Sequence, residues 1–364
     1  MESKKSVLIF PSTLYDGGAE RVASILAREL SEKYSVSVAY YIESEQRYDF
    51  GDRCAFYCLP YRDTSNPSLV YRLRCLKKRI RALKRLREIK KFNIVLSLCF
   101  VPCFINVMSR GQGLTLCAER TNPKKNGFFL WLLTRWAYRR ADGVIFQSET
   151  VRGMFEKSVR DKSCILKNPV LIPAPADGVR RKRVVIIGRL VKQKNQTLLI
   201  RSFAAFRRDH PEYTLSIYGE GEEREHLRQL IGSLGAADWI FLEGNRPDVH
   251  EQIRDAEMFV LSSDYEGLSN ALLECMSMGI ACISTKCEGS TDVIRPMENG
   301  VLVDIRDEAG LTSAMTMLAE DPALRHKLEK QAMTDLRSYE KSAVAEEWDH
   351  ALLAFWKKKY GEQS

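Results

Sequence analysis

Arg183-Val184-Val185-Ile186-Ile187-Gly188-Arg189-Leu190-Val191-Lys192-Gln193-Lys194-Asn195 reads as a buried strand that stops at a glycine and turns into the start of a helix. Four β-branched residues in a row suit a strand covered on both faces. The glycine permits a tight turn, and the helix start leaves backbone N–H groups without partners. Arg189 and Lys194 stand five residues apart across that turn. Either they form a diphosphate cradle made from charge and helix dipole, or they are solvated cations at a helix start.

Outward from this stretch, short β-rich runs alternate with helical patterns in both directions. Strands are expected near 6–10, 35–41, 54–59, 94–98, 114–118, 143–147 and 163–166, with helices near 18–33, 69–91, 127–141 and 148–158. After 183–188 the strands fall near 213–218, 239–242, 257–261, 280–284 and 301–303, with helices near 194–209, 222–234, 269–279, 307–319 and 322–337. Such alternation means α/β architecture with parallel sheets covered on both faces. Three prolines between Pro169 and Pro175 interrupt it, which neither a helix nor a central strand tolerates. The expected organisation is a domain over 1–170, a linker over 171–182, and a second domain over 183–339. Two doubly wound domains joined in this way enclose a cleft, and ligands of such sheets bind outside the carboxyl ends of the strands. A last helix, 340–364, carries Ala343, Trp348, Leu352, Phe355 and Trp356 near helical spacing. It either crosses back to the first domain or stays on its own.

A length of 364 residues suits two cores. The first apolar run, Val7 to Phe10, is too short for a signal-peptide core, and Ile94–Ile105, broken by Ser97 and Pro102, is too short for a membrane span. A cytoplasmic protein is expected. Ten cysteines lie scattered without a CxxC pair, which reads as free thiols in a reducing compartment and not as a zinc site. The net charge of +9 divides unevenly, +15 over residues 1–180 against −6 over 181–364, so the first half attracts anions.

A second segment, Asp264-Tyr265-Glu266-Gly267-Leu268-Ser269-Asn270-Ala271-Leu272-Leu273-Glu274, places one carboxylate in a loop after a strand and another inside the following helix. The helix start at Leu268, Ser269 and Asn270 offers backbone donors to an anion. Glu266 can reach sugar hydroxyls, and Glu274 can accept from two ribose hydroxyls. Taken singly, each glutamate reads equally as a solvated side chain.

In this order and separation the two segments resemble the retaining glycosyltransferases of family 4, which have the GT-B fold. Gly17-Gly18-Ala19-Glu20-Arg21-Val22 is similar to that family's N-terminal glycine loop, and Glu266 and Glu274 fit its paired-glutamate motif. Tyr218-Gly219-Glu220-Gly221 and Asn299-Gly300-Val301-Leu302-Val303 stand where members carry similar words. The resemblance implies a nucleotide sugar, UDP by family weight, held mainly by the second domain. Arg189 and Lys194, beside Gly188, would neutralise the diphosphate and stabilise the leaving charge, so no metal or other cofactor is expected. Glu266 would position the donor sugar and Glu274 the ribose. Gly17 and Gly18 would bring backbone to the donor phosphates or the acceptor. The new bond would keep the donor's anomeric configuration.

Many members carry a histidine at the end of a first-domain strand; here no histidine precedes His210, and Cys117-Ala118-Glu119-Arg120-Thr121-Asn122-Pro123 ends such a strand instead. That word resembles a subgroup using hexose or N-acetylhexosamine donors in surface-polysaccharide and glycan assembly. Glu119, Arg120 and Asn122 either contact donor sugar or acceptor, or structure their loop. Asp292 stands for the more usual glutamate.

Between Val70 and Phe92 lie eleven Lys or Arg against Glu88 alone, with Leu69, Leu73, Leu76, Ile80, Leu83 and Leu86 at helical spacing. This basic amphipathic helix either lies on anionic lipid at the inner face of the membrane or presents solvated charges. No nucleic-acid motif accompanies it. Phe128–Trp136 reads either as a membrane-insertion element or as core, and because it leads by a helix into the strand Gly143–Gln147, core packing is expected. A lipid-linked or glycan acceptor fits the basic half. The rivals are a UDP-N-acetylhexosamine epimerase of the same architecture and a catalytically silent sugar-nucleotide-binding partner. A nicotinamide dehydrogenase lacks its GxGxxG, since Asp16-Gly17-Gly18-Ala19-Glu20-Arg21 follows the first strand.

Overall fold

A computed structural model describes residues 4–15, 17–42, 48–60, 68–120, 127–170 and 180–361. The chain divides into two units, Met1–Pro169 with Lys341–Ser364, and Val170–Glu340. Residues 171–179 of the expected linker lie outside the described residues.

The first unit runs β1 (Ser6–Phe10), α1 (Gly18–Leu30), β2 (Ser35–Tyr40), β3 (Ala55–Cys58), α2 (Leu69–Lys90), β4 (Ile94–Leu98), α3 (Phe100–Met108), β5 (Leu114–Ala118), α4 (Phe128–Arg140), β6 (Gly143–Phe146), α5 (Glu149–Gly153), α6 (Lys157–Arg160) and β7 (Ser163–Ile165). Its seven strands are parallel in the order β3-β2-β1-β4-β5-β6-β7. The central strands are mainly apolar because helices cover both faces: Val7, Ile9, Val38, Ile94, Leu96 and Leu116 are all buried.

The sequence reading places no helix between β4 and β5, yet α3 is there. The apolar run hides it, because a strand passes into a helix without a change of composition. Cys99 takes a left-handed φ of 66° at the junction. Pro102 falls in the first turn, where its missing N–H removes no intrahelical bond.

The second unit runs β8 (Arg181–Ile187), α7 (Gln196–Phe206), β9 (Thr214–Tyr218), α8 (Arg224–Ser233), β10 (Ile240–Gly244), α9 (Val249–Ile253), β11 (Ala256–Leu261), α10 (Asn270–Ser277), β12 (Ala281–Thr285), α11 (Glu288–Thr291), β13 (Val301–Val303), α12 (Glu308–Glu320) and α13 (Pro322–Leu336). Six parallel strands take the order β10-β9-β8-β11-β12-β13. The chain winds outward from β8 in one direction and from β11 in the other. The switch point therefore lies between the carboxyl ends of those two strands. The strand starts two residues earlier than expected, at Arg181.

The last helix, α14 (Lys341–Tyr360), belongs to the first unit. Val344, Trp348 and Leu352 enter its core, and the Trp348 indole donates to the Lys167 carbonyl at 3.3 Å. Tyr34 and Lys33, just past α1, bond the two oxygens of Asp349 at 2.5 and 2.6 Å.

Two expectations about the first unit's surface change. The buried stripe of α2 runs through Cys75, Arg79, Leu83 and Arg87, while Leu69 and Leu73 are exposed. Arg87 is drawn inside by Asn106, at 2.9 Å, and Thr115, at 3.1 Å. In α4, Trp131 and Trp136 pack on Phe155 and Phe104, as core packing requires. The first turn does not follow them: Phe128 and Phe129 are 77% and 72% exposed.

Candidate functional site

Of the residues singled out after β8 and β11, Lys194 and Glu266 meet at the switch point of the second unit. The turn Lys192–Lys194 follows Gly188–Val191 and delivers the Lys194 side chain back over Gly188, whose Cα carries nothing to block it; a Cβ would stand 3.2 Å from Lys194 Cε. Lys194 Nζ reaches Glu266 Oε1 at 2.5 Å, with the two side chains 13% and 11% exposed. The Ser263 hydroxyl donates to the same carboxylate at 3.0 Å.

This pair rests on a framework shared between the two loops. The Asp264 N–H donates to the Gln193 carbonyl at 2.9 Å, the Gln193 amide to the Tyr265 carbonyl at 2.8 Å, and the Ser262 hydroxyl to the Lys194 carbonyl at 2.9 Å. Asn195, in the left-handed region at φ 46°, donates to Asp264 at 3.0 Å and caps α7 through Leu198 N–H. Arg306 clamps Asp264 from the loop after β13 at 2.7 Å. Gly219 N–H donates to the Gly244 carbonyl at 2.8 Å, and the Leu190 N–H to the Glu220 carbonyl at 2.9 Å, so the Tyr218–Gly221 word locks the β8 turn from its other side. A cavity of about 310 Å³ beside this turn is lined by Lys192, Asn195, Thr197, Glu223, Asp264 and Arg306. It takes in neither Glu266 nor Glu274, and so neighbours the glutamate site without being it.

Glu274 lies in the second turn of α10, 3% exposed, with His250 Nε2 at 2.8 Å from its Oε2. Ser269 caps the same helix by accepting from the Leu272 N–H, Asn270 is its first residue, and Leu268 is half-buried beside it. Arg189 is exposed, and no hydrogen bond or ion pair engages its side chain among the described residues. Burial pushes the nearby Cys287 thiol up, which keeps it protonated and inert at neutral pH. No group of three or more His, Cys, Asp or Glu is arranged to hold a metal among the described residues.

The remaining candidates lie in the first unit. Gly17 takes φ 130° at the N-cap of α1, and Gly18 begins that helix, exposed. Glu119 and Arg120, at the end of β5, are not offered to solvent. Glu119 accepts from the Tyr138 hydroxyl at 2.6 Å, and Arg120 donates to Asn168 Oδ1 at 2.5 Å while its guanidinium lies over the Trp348 ring. Burial pushes the Arg120 guanidinium down to about 10. These contacts tie the end of β5 to α4, to α14 and to the segment before the linker. Asn122 lies outside the described residues. Sequence reasoning missed His250, which stands on a five-residue helix with no periodic pattern to mark it.

Residues 174–335 match the family model for glycosyl transferases group 1. The second unit belongs to that family. Across its length the chain is 28% identical to the N-acetylgalactosamine-N,N'-diacetylbacillosaminyl-diphospho-undecaprenol 4-alpha-N-acetylgalactosaminyltransferase of Campylobacter jejuni, over 93% of this chain and 96% of that one. The lipopolysaccharide core biosynthesis glycosyltransferase LpsE of Rhizobium meliloti is 34% identical over 145 residues, 40% of this chain and 42% of that one. HepE of Anabaena, solved in complex with UDP, superposes with a TM-score of 0.79 at 16% identity, over 96% of this chain and all of that one. Sucrose-phosphate synthase of Thermosynechococcus elongatus reaches 0.82 at 15% identity, over 98% and 100%. The chain is a glycosyltransferase of GT-B fold, and the Lys194–Glu266 pair lies within its group 1 domain.

Proposed function

We propose that this protein transfers a hexose or N-acetylhexosamine from a UDP-sugar to a lipid-linked or glycan acceptor during surface glycan assembly, with retention of configuration and without a metal. The observation that carries the proposal is the Lys194–Glu266 ion pair, held at 2.5 Å where the sheet's winding reverses. An ammonium fixed there meets the charge that develops on a departing diphosphate, and a preorganised cation needs no reorganisation as that charge forms. Arg189, exposed at the same turn, supplies a second cation to the donor phosphates. Glu266 orients the donor sugar, and Glu274 accepts from the ribose. The acceptor oxygen attacks the face the leaving phosphate departs from, and that phosphate takes the proton, so no enzymatic nucleophile is required.

Support for the donor comes from HepE, which shares the fold and was solved with UDP. Support for the acceptor comes from the Campylobacter relative, whose name specifies a diphospho-undecaprenol substrate. A lipid-linked acceptor also gives a role to the basic face of α2, including Arg72, Lys77, Lys78, Arg81 and Arg85, all exposed. We place the enzyme at the cytoplasmic face of the membrane, held there without a span; no helix among the described residues is long and apolar enough to cross one.

The test is a panel of nucleotide sugars screened for thermal stabilisation, followed by transfer assays with and without EDTA. UDP-N-acetylhexosamines or UDP-hexoses are expected to stabilise the protein, and chelation to leave the rate unchanged. Stabilisation by NAD alone would remove the assignment, and loss of activity in EDTA would remove the leaving-group chemistry.

A further inference from the structure

The contact between His250 and Glu274 joins two elements that the sequence does not connect. The histidine lies on α9, after the outermost strand β10, and the glutamate lies on α10, after β11. Ile253, on the same short helix, is fully buried and anchors α9 against the core. His250 is thereby held with Nε2 at 2.8 Å from Glu274 Oε2. A carboxylate only accepts, so Nε2 carries the proton whether the imidazole is neutral or charged.

A buried glutamate has a broad terminal torsion and a desolvated charge, and each works against a fixed orientation. A donor placed on one oxygen works against both difficulties. We infer that His250 is a positioning residue, whose Nε2–H turns the Glu274 carboxylate toward the ribose hydroxyls of the bound nucleotide before that nucleotide arrives. This rests on the proposed reading of Glu274 as the ribose acceptor. The gain is preorganisation: the carboxylate spends no binding free energy on being ordered when the ligand enters.

The test measures binding of UDP and of 2′,3′-dideoxy-UDP to the full-length protein and three variants. His250→Phe keeps the ring volume and removes the donor, and His250→Gln keeps a donor near the position of Nε2. Glu274→Gln reports on the ribose assignment itself. His250→Phe is expected to weaken UDP by about tenfold, the scale of a lost charge-assisted hydrogen bond, with dideoxy-UDP held within about twofold. His250→Gln should bind both nucleotides nearly as the unaltered protein does. Equal effects of His250→Phe on the two nucleotides, or none on either, would overturn the positioning role while leaving Glu274 in place. Should Glu274→Gln fail to separate UDP from its dideoxy form, the ribose assignment falls, and this inference falls with it.

Discussion

Gly289, on α11, lies directly beneath the carbonyl oxygen of Gly267, so close that a Cβ would fall inside contact distance of that oxygen. Gly267 follows Glu266, so α11 is the floor of the glutamate loop. The floor cannot retreat easily: the buried Ser290 hydroxyl bonds Ser284 at 2.7 Å and Cys287 at 3.0 Å. Gly289→Ala should therefore lift Glu266 away from Lys194 and reduce transfer by at least about tenfold, with an overpacking cost of about 1–3 kcal/mol. Gly232→Ala is the control, since nothing lies within 4 Å of the added methyl. It sits inside α8 and should stabilise by about 0.5–1 kcal/mol without touching the rate. Steady-state rates beside melting temperatures decide it; an unimpaired Gly289→Ala enzyme would remove α11 from the account.

Lys194→Ala and Glu266→Ala should each lower transfer by about 10²–10³, the range seen when one preorganised electrostatic partner is deleted. Their stabilities should differ from those of the pair together. Removing only the lysine leaves a largely buried carboxylate uncompensated, which costs about 3–5 kcal/mol when burial is complete and less here. Lys194→Met with Glu266→Gln removes both charges and should recover part of that loss while remaining inactive. Denaturant melts of the single and double variants measure the difference. A double variant as unstable as Lys194→Ala would mean that the two charges do not compensate each other.

Asp349 fixes α14 to the first unit through Tyr34 and Lys33. Burial raises its carboxyl, but the hydrogen bonds from Lys33 and Tyr34 outweigh that and hold it below its ordinary value. The unfolded carboxyl takes its proton near pH ~3.9, and the folded one resists until a lower pH. Between those points the unfolded chain binds more protons, so this contribution is present above about pH 4 and is lost as pH falls through the folded value. Asp349→Asn should destabilise at pH 7 by about 1–2 kcal/mol, and the gap to the unaltered protein should narrow toward pH 3. Melting curves at pH 7, 5, 4 and 3 check it, and a gap independent of pH would point to packing alone.

Much of this architecture is legible in the order of residues because the sheets are parallel. Strands buried on both faces write themselves as runs such as Val184–Ile187, and each glycine that ends a run marks a carboxyl edge. Lys194 and Glu266 are readable for the same reason: each follows such a strand, and neighbouring strands bring their following loops together. What escapes is anything settled across the fold. Arg120 reads in sequence as a sugar or acceptor contact or a loop-structuring residue, and Arg87 as one of the basic charges of α2, yet Asn168, Asn106 and Thr115 draw them inside. His250 acquires its partner only because β10 and β11 return their helices to one edge. Phe128 and Phe129 look like core until α4 is seen to bury its residues further along, at Thr134, Ala137 and Tyr138.

Those two phenylalanines lead to the last prediction, which concerns the membrane. In a parallel sheet each helix that follows a strand begins at the carboxyl edge, so α2 and α4, which follow β3 and β5, both start on that edge of the first unit. Leu69, Val70 and Leu73 are exposed at one start, and Phe128 and Phe129 at the other, with the basic face of α2 adjoining. Burying one aromatic side chain in the interface contributes about 1.5–3 kcal/mol, and each basic residue near anionic lipid about 1 kcal/mol. Reversing four charges between Arg72 and Arg85 should abolish the preference for anionic over neutral vesicles. Phe128→Ser with Phe129→Ser should weaken binding to both vesicle types alike, because its contribution is apolar. Sedimentation with phosphatidylglycerol-rich and phosphatidylcholine liposomes separates the two contributions, and high salt should reproduce only the first. If neither variant changes the sedimented fraction, α2 is a solvated basic face and the aromatic pair takes no part in membrane binding.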